Sequence, residues 1–335
     1  MLSEAVDVPS PQKILHYAIG SWLCGIVASA VGLRLFELLE AAPSDAETIA
    51  ERTGMSPRAV QALLDGLLGL GLATLQDGRY HNTPDASFYL VPGRAEYLGS
   101  FVELTATSMP LWTRLPEVAL SGKPVLDDFE PRDNPEWEPV VRGITPIAFS
   151  SARAAAERLN IEEADAFHML DLGGGSGVFA AHWLTLNQRG RATQVDWSNV
   201  NALAREYVAG FGVADRFETI DGDLLAVDLT DDAYDFVILS WVAHFFSPDV
   251  NRRLFARIRR ALKTGGVLVI ADLVVDDDRN GDAWALTFGA NMLLSTDHGA
   301  VYRKADFGAW LDGAGFADWG VEPVESMPHT LVYAR

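Results

Sequence analysis

The densest cluster of chemically suggestive residues is Asp171-Leu172-Gly173-Gly174-Gly175-Ser176-Gly177, entered from an apolar run, HMLDLG, and left through a helix-forming run, VFAAHWLTL. Glycines 173, 175 and 177 let the backbone turn tightly and approach a ligand that a Cβ would exclude. Asp196 closes the next strand-like run, ATQVDW, about twenty positions further on, where a carboxylate can accept both hydroxyls of a ribose. A third acid, Asp223 in DGDLL, is placed at the end of the third strand to accept from an adenine amino group. Together the strand, loop, helix and acid point to a nucleoside ligand.

The spacing G-x-G-x-G differs from the dinucleotide pattern G-x-G-x-x-G, and no Lys or Arg lies near the loop to hold a pyrophosphate. An acid-lined site without a basic residue suits a cationic nucleoside such as S-adenosylmethionine. His244 follows the apolar run DFVILS, at the carboxyl end where open α/β sheets take their substrates. A neutral imidazole there can accept a proton from a phenol or enol; the alternative is a core histidine that only caps the strand. Asp272, closing GVLVIAD, is the carboxylate that would orient it. Asp297 and His298 offer either a further carboxylate or an exposed turn before Gly299. No metal site is expected: His244 and His298 lack ligand spacing, and Cys24 is the only cysteine. His16, His81, His168, His182 and His329 show no partner pattern and read as structural.

From Phe167 onward, strand-like runs (HMLDLG, ATQVDW, FETIDGD, DFVILS, GVLVIADLVV) alternate with helical stretches, the signature of a parallel sheet covered by helices on both faces. VEPV and HTLVYAR add two short strands. Residues 44–91 read as a small winged helix. Ser44 and Asp45 cap a helix ending at Gly54, and Ser56 caps a second one opened by Pro57. Val60, Leu63, Leu64, Leu67, Leu68 and Leu70 form the second helix's apolar face, and Gln76-Asp77-Gly78 turns a hairpin. Residues 92–165 read as mainly helical, with a loop at GKPVLDDFEPRDNPEW.

These motifs taken in order, LDLGGGSG, VDWSNV, DGDLL, LSWVAHFFSPD and LKTGGVLVIAD, resemble the small-molecule O-methyltransferases of bacterial natural-product pathways and plant phenolic metabolism. The likeness covers nearly the whole chain. It implies a Rossmann-like methyltransferase domain, S-adenosylmethionine as methyl donor, and an intertwined homodimer built by the winged-helix domain. Carried over by position, it assigns cofactor contacts to Gly173, Asp196, Trp197, Asp223, Leu224 and Ser240, with Gly175 beside them in the loop. It makes His244 the base. Three departures stand out. Asp196-Trp197-Ser198 replaces the usual Asp-Leu-Pro, Phe245 and Phe246 follow His244 where the family has Asp-Trp, and Val301 falls where a second glutamate flanks the base. The missing carboxylate leaves open catalysis by proximity alone.

The acceptor pocket is expected to be apolar and aromatic, drawing on Phe101, Met109, Trp112, Phe149, Phe245, Phe288, Asn291 and Met292. That composition suits a planar, polyketide-like or aromatic acceptor. The expected organisation is a winged-helix dimerisation domain (1–95), a helical region contributing to the pocket (96–165) and an α/β methyltransferase domain (166–335). Competing readings are C- or N-methylation, a relative that keeps the cofactor without transferring methyl, and a winged-helix regulator on DNA. The formal charge of −20 argues against nucleic acid and against an anionic membrane surface. Arg58 is the only basic residue on the second winged helix, too little for a DNA-reading stripe. Residues 14–33 contain no Asp, Glu, Lys or Arg, yet their several Gly and Ser residues favour a helix packed between subunits over a membrane span. A polar, acidic N-terminus without a signal-peptide pattern makes the expected location cytoplasmic.

Overall fold

The computed structural model describes residues 9–126, 134–325 and 327–335. The first residues of the acidic N-terminus and positions 127–133 of the expected surface loop therefore lie outside the described residues. The chain divides into two compact units, residues 1–109 and 110–335.

The first unit opens with α1 (Gln12–Ala18) and α2 (Gly20–Gly32), followed by α3 (Leu35–Ala41), α4 (Ala46–Thr53) and α5 (Pro57–Gly69). A hairpin, β1 (Ala73–Gln76) and β2 (Arg79–Asn82), precedes α6 (Pro84–Tyr89) and α7 (Gly99–Trp112). Asp77 and Gly78 at the hairpin tip both take positive φ, 50° and 76°, the two-residue turn whose twist matches antiparallel strands. Asp45 caps α4 by accepting from the Thr48 amide at 2.7 Å. Ser56 holds the N-cap position of α5, but its side chain makes no capping bond. Val60, Leu64 and Leu67 of α5 pack with Phe36, Leu39, Ile49 and Tyr80, whereas Leu68 is 38% exposed.

The apolar segment expected as one helix is broken at Ile19 and bends by 49° between α1 and α2. Among the described residues no single helix is long and apolar enough to cross a membrane, although this bent pair passes on length and composition together. Ile14, Leu15, Tyr17 and Trp22 are all exposed.

Pro110 lies inside α7, where it removes one backbone donor, and the division between units falls just before it. The second unit continues with α8 (Leu115–Ser121) and the long α9 (Trp137–Leu159). Five strands follow, with a helix between each consecutive pair except β5 and β6: β3 (His168–Leu172), α10 (Val178–Leu186), β4 (Arg191–Asp196), α11 (Ser198–Gly210), β5 (Phe217–Asp221), β6 (Tyr234–Ser240), α12 (Pro248–Ala261) and β7 (Leu262–Asp272). A short pair, β8 (Val274–Val275) and β9 (Tyr302–Arg303), flanks α13 (Ala283–Ser295). The chain ends with α14 (Lys304–Ala314), β10 (Trp319–Pro323) and β11 (Thr330–Ala334).

The seven-stranded sheet has the order β10-β11-β7-β6-β3-β4-β5. Strands β3 to β7 are parallel; β11 runs antiparallel to β7 and β10 antiparallel to β11, so the sheet is mixed rather than wholly parallel. Leu170, Leu172, Val237, Leu239, Leu268 and Ile270 alternate onto one face, where Leu254, Phe255 and Ile258 of α12 and Phe307, Trp310 and Leu311 of α14 cover them. Burying an aliphatic or aromatic side chain of this size contributes roughly 1.5–3 kcal/mol. The chain order reverses between β3 and β6, opening a crevice at their carboxyl ends.

Candidate active site

The glycine loop leaves β3 at that crevice. Gly173, Gly175 and Gly177 take φ of 70°, 58° and 72°. A Cβ on Gly173 would lie 2.7 Å from Val242 Cγ2 on the β6 side of the crevice and 3.3 Å from Leu224 Cδ2, so glycine is required by both conformation and space. On the same side of the crevice, Asp196 ends the neighbouring strand β4. Its Oδ2 accepts the Gly175 amide at 2.9 Å and its Oδ1 accepts the Trp197 amide at 2.8 Å. Burial pushes the Asp196 carboxyl up to about 6, against those two amides, which pull it down. Asp171 lies beneath the loop, fully buried, and neither carboxyl oxygen has a partner among the described residues. Burial, with the Asp196 charge second, pushes it up to about 8.

Two buried polar side chains that the sequence reading passed over tie this region together. Gln194 donates to the Gly175 carbonyl and to Asn201 Oδ1, both at 3.1 Å. Asn201 donates to the carbonyls of Asp196 and Ile220 and to Asp221 Oδ1. The available signal was a glutamine inside the apolar strand ATQVD. Asp223 lies beyond the strand end expected for it: β5 stops at Asp221 and Asp223 starts a turn, its Oδ1 accepting the Leu225 amide at 2.8 Å. Ser240, the last residue of β6, keeps a buried Oγ without a partner among the described residues.

His244 sits in a short 3-10 turn just beyond β6 and is 2% exposed. Its Nδ1 is 2.7 Å from Asp272 Oδ1, and its backbone amide donates to Asp272 Oδ2 at 3.2 Å. The Leu273 amide donates to Oδ1 as well. Two backbone amides already donate to Asp272, an acceptor-only carboxylate that pairs with the His244 tautomer carrying its proton on Nδ1. Asn251 on α12 donates to the Ala243 and Phe246 carbonyls, and the Ala300 amide donates to the His244 carbonyl, fixing the turn from both sides. Val301, where a second acid was missing, follows Ala300 directly. Asp297 and His298 are exposed.

Aromatic rings enclose the histidine. Phe245, Phe288 and Trp241 have centroids 4.5, 5.0 and 6.1 Å from it, and Trp137 lies 5.9 Å from Phe245. Trp241 was not anticipated; its φ of 57° is unusual for a bulky residue and is held by its amide donating to the Ala271 carbonyl at 2.8 Å. Phe288 thus reaches the histidine from α13, the helix that also carries Met292. The Met292 sulfur and the His244 carbonyl lie 3.2 and 2.7 Å from the Cβ that Gly299 lacks. Asn291 is half-buried on the same helix, its carbonyl accepting from Ser295. Met109 and Trp112 lie on α7, Met109 half-buried and Trp112 41% exposed. Phe149 packs edge-on against His182 instead. His329 is buried, its Nε2 2.5 Å from Ser151 Oγ, and burial lowers its pKa to about 4. Among the described residues no group of three or more His, Cys, Asp or Glu could hold a metal ion.

The site thus sets a glycine loop and a buried acid on one side of a switch point and a histidine–aspartate pair on the other. Known proteins narrow the class. Residues 140–317 match the O-methyltransferase domain and residues 15–92 the O-methyltransferase dimerisation domain. The 3-hydroxy-5-methyl-1-naphthoate 3-O-methyltransferase of Streptomyces sahachiroi is 33% identical, over 92% of this chain and 90% of that protein. The tetracenomycin polyketide synthesis 8-O-methyl transferase TcmO of Streptomyces glaucescens is 31% identical, over 100% and 99%. Human N-acetylserotonin methyltransferase, solved in complex with S-adenosylmethionine, shares the fold with a TM-score of 0.83 at 23% identity, covering 99% of each chain. The chain belongs to the O-methyltransferase family, with that family's dimerisation domain at its N-terminal end.

Proposed function

We propose that the protein methylates a hydroxyl of a small aromatic or polyketide-like metabolite, using S-adenosylmethionine, and works as a homodimer. The buried His244–Asp272 pair carries this reading, because it sets an oriented imidazole inside a ring of aromatic side chains beside the glycine loop. The residues present fit the cofactor. Each Asp196 oxygen accepts one amide and keeps a lone pair for a ribose hydroxyl. Side chains around the glycines, Val242, Leu224, Gln194 and Val141, carry no positive charge, which suits a sulfonium better than a pyrophosphate.

When bound, the cofactor supplies a methyl group activated by its positive sulfur. His244 Nε2 accepts the proton of the acceptor hydroxyl while Asp272 holds Nδ1–H and stabilises the imidazolium that forms. Phe245, Phe288 and Trp241 keep water from the base and offer flat surfaces to a planar acceptor. Relatives named for a hydroxylated naphthoate and for tetracenomycin polyketide synthesis support a fused-ring phenol as acceptor class. The test is incubation with methyl-labelled S-adenosylmethionine and a panel of hydroxynaphthoates and polycyclic phenols, read by mass spectrometry. A product carrying the label on oxygen is expected; label on carbon or nitrogen, or cofactor binding without transfer, would overturn it.

A further inference from the structure

The geometry points to Arg257 as a positioning residue that holds the cofactor's nucleoside end in place from the opposite side of the loop; this rests on the cofactor reading above. Arg257 lies on α12, half-buried, beside the core residues Leu254 and Ile258. Among the described residues no acid pairs with it. Its guanidinium is spent on backbone carbonyls instead. Nη1 donates to Leu224 at 3.0 Å and to Leu225 at 2.6 Å, and Nη2 donates to Val227.

Those carbonyls belong to one tight turn. The amides of Ala226 and Val227 both donate to the Asp223 carbonyl at 2.9 Å, and the Leu225 amide donates to the Asp223 carboxylate. Aligned carbonyls at the end of such a turn carry partial negative charge, and a planar cation with a fixed fork of donors neutralises several of them at once. A lysine ammonium is a point donor and cannot span the set. The turn presents Asp223 and Leu224, and Leu224 Cδ2 lies 3.3 Å from where a Gly173 Cβ would stand. Arg257 therefore fixes the height of Leu224 over the glycine loop and the direction of the Asp223 carboxylate, without touching the ligand itself.

The experiment compares the full-length parent with Arg257→Gln and Arg257→Lys, titrating each with S-adenosylmethionine and with adenosine alone. For Arg257→Gln both ligands should bind about tenfold more weakly, with turnover at saturating cofactor within about twofold of the parent. Arg257→Lys should fall between. Hydrogen–deuterium exchange should rise in residues 223–229 and stay at parent level in β3, β4 and β6. Unchanged affinity for both ligands in a folded Arg257→Gln protein would overturn the assignment, as would exchange rising throughout the sheet. A parent that binds no S-adenosylmethionine would instead overturn the cofactor reading on which the assignment rests.

Discussion

Asp171 gives the ligand-free protein a pH dependence opposite to that of most carboxylates. It is fully buried, its oxygens have no partner among the described residues, and its carboxyl is pushed up to about 8 from 3.8. At low pH both folded and unfolded chains hold the proton. As pH rises the unfolded chain releases it first, so the folded state binds more protons and stability falls until the folded group also titrates. The full separation corresponds to about 6 kcal/mol, at about 1.4 kcal/mol per tenfold change in proton affinity. Asp196, pushed up to about 6, acts with the same sign at lower pH and accounts for about 3 kcal/mol. Asp171→Asn keeps the shape and removes the titration. Relative to the parent the variant should gain stability by about 1.4 kcal/mol per pH unit between about pH 6 and pH 8, then level off. Urea unfolding of both proteins across that range measures the difference directly. Parallel curves, or a parent that grows more stable from about pH 6 to pH 8, would refute the reasoning.

His244→Gln should lower turnover roughly 10²–10⁴-fold with cofactor affinity nearly unchanged, whereas a loss within about threefold would favour catalysis by proximity. Asp272→Asn should cost turnover too, since an amide cannot accept from Nδ1–H, the His244 amide and the Leu273 amide as the carboxylate does; steady-state kinetics compares the two variants. Asp196→Ala should weaken S-adenosylmethionine binding by about 1.5–3 kcal/mol in titration calorimetry, the range for lost charge-assisted hydrogen bonds. Gly177→Ala places a Cβ 2.9 Å from Val208 Cγ2 at a φ of 72°, and should lower unfolding stability by about 1–3 kcal/mol in urea titrations.

Features that depend on a few adjacent residues were the legible ones. The Asp77-Gly78 hairpin and the glycine loop follow from positive φ, which few residue types tolerate. Asp272 could be matched to His244 because parallel strands align their carboxyl ends, so two strand-end residues far apart in sequence become neighbours. Sequence order cannot say which edge a late strand joins, and β11 pairs antiparallel with β7 to make a mixed sheet. Gln194 and Asn201 escaped notice because a polar residue in a strand or helix is ordinarily a solvated one. Only the packed neighbours make them buried and therefore obligatory hydrogen bonders. Composition hid the break at Ile19, since an uncharged run looks the same straight or bent.

The left-handed backbone at Trp241 restricts how the aromatic wall around His244 can change over evolution or in the laboratory. Its ring is one wall around His244, so it is an obvious position at which to make more room beside the imidazole. The backbone there, however, admits glycine or asparagine far more readily than valine or isoleucine, whose branched Cβ clashes at φ near 57°. Replacement by valine or isoleucine is thus closed at 241, whereas leucine or methionine, unbranched at Cβ like tryptophan, meets the same backbone cost that the native residue already bears. Phe288, on the regular helix α13, carries no such restriction. The wall around His244 should therefore accept β-branched residues at Phe288 and only unbranched ones at Trp241.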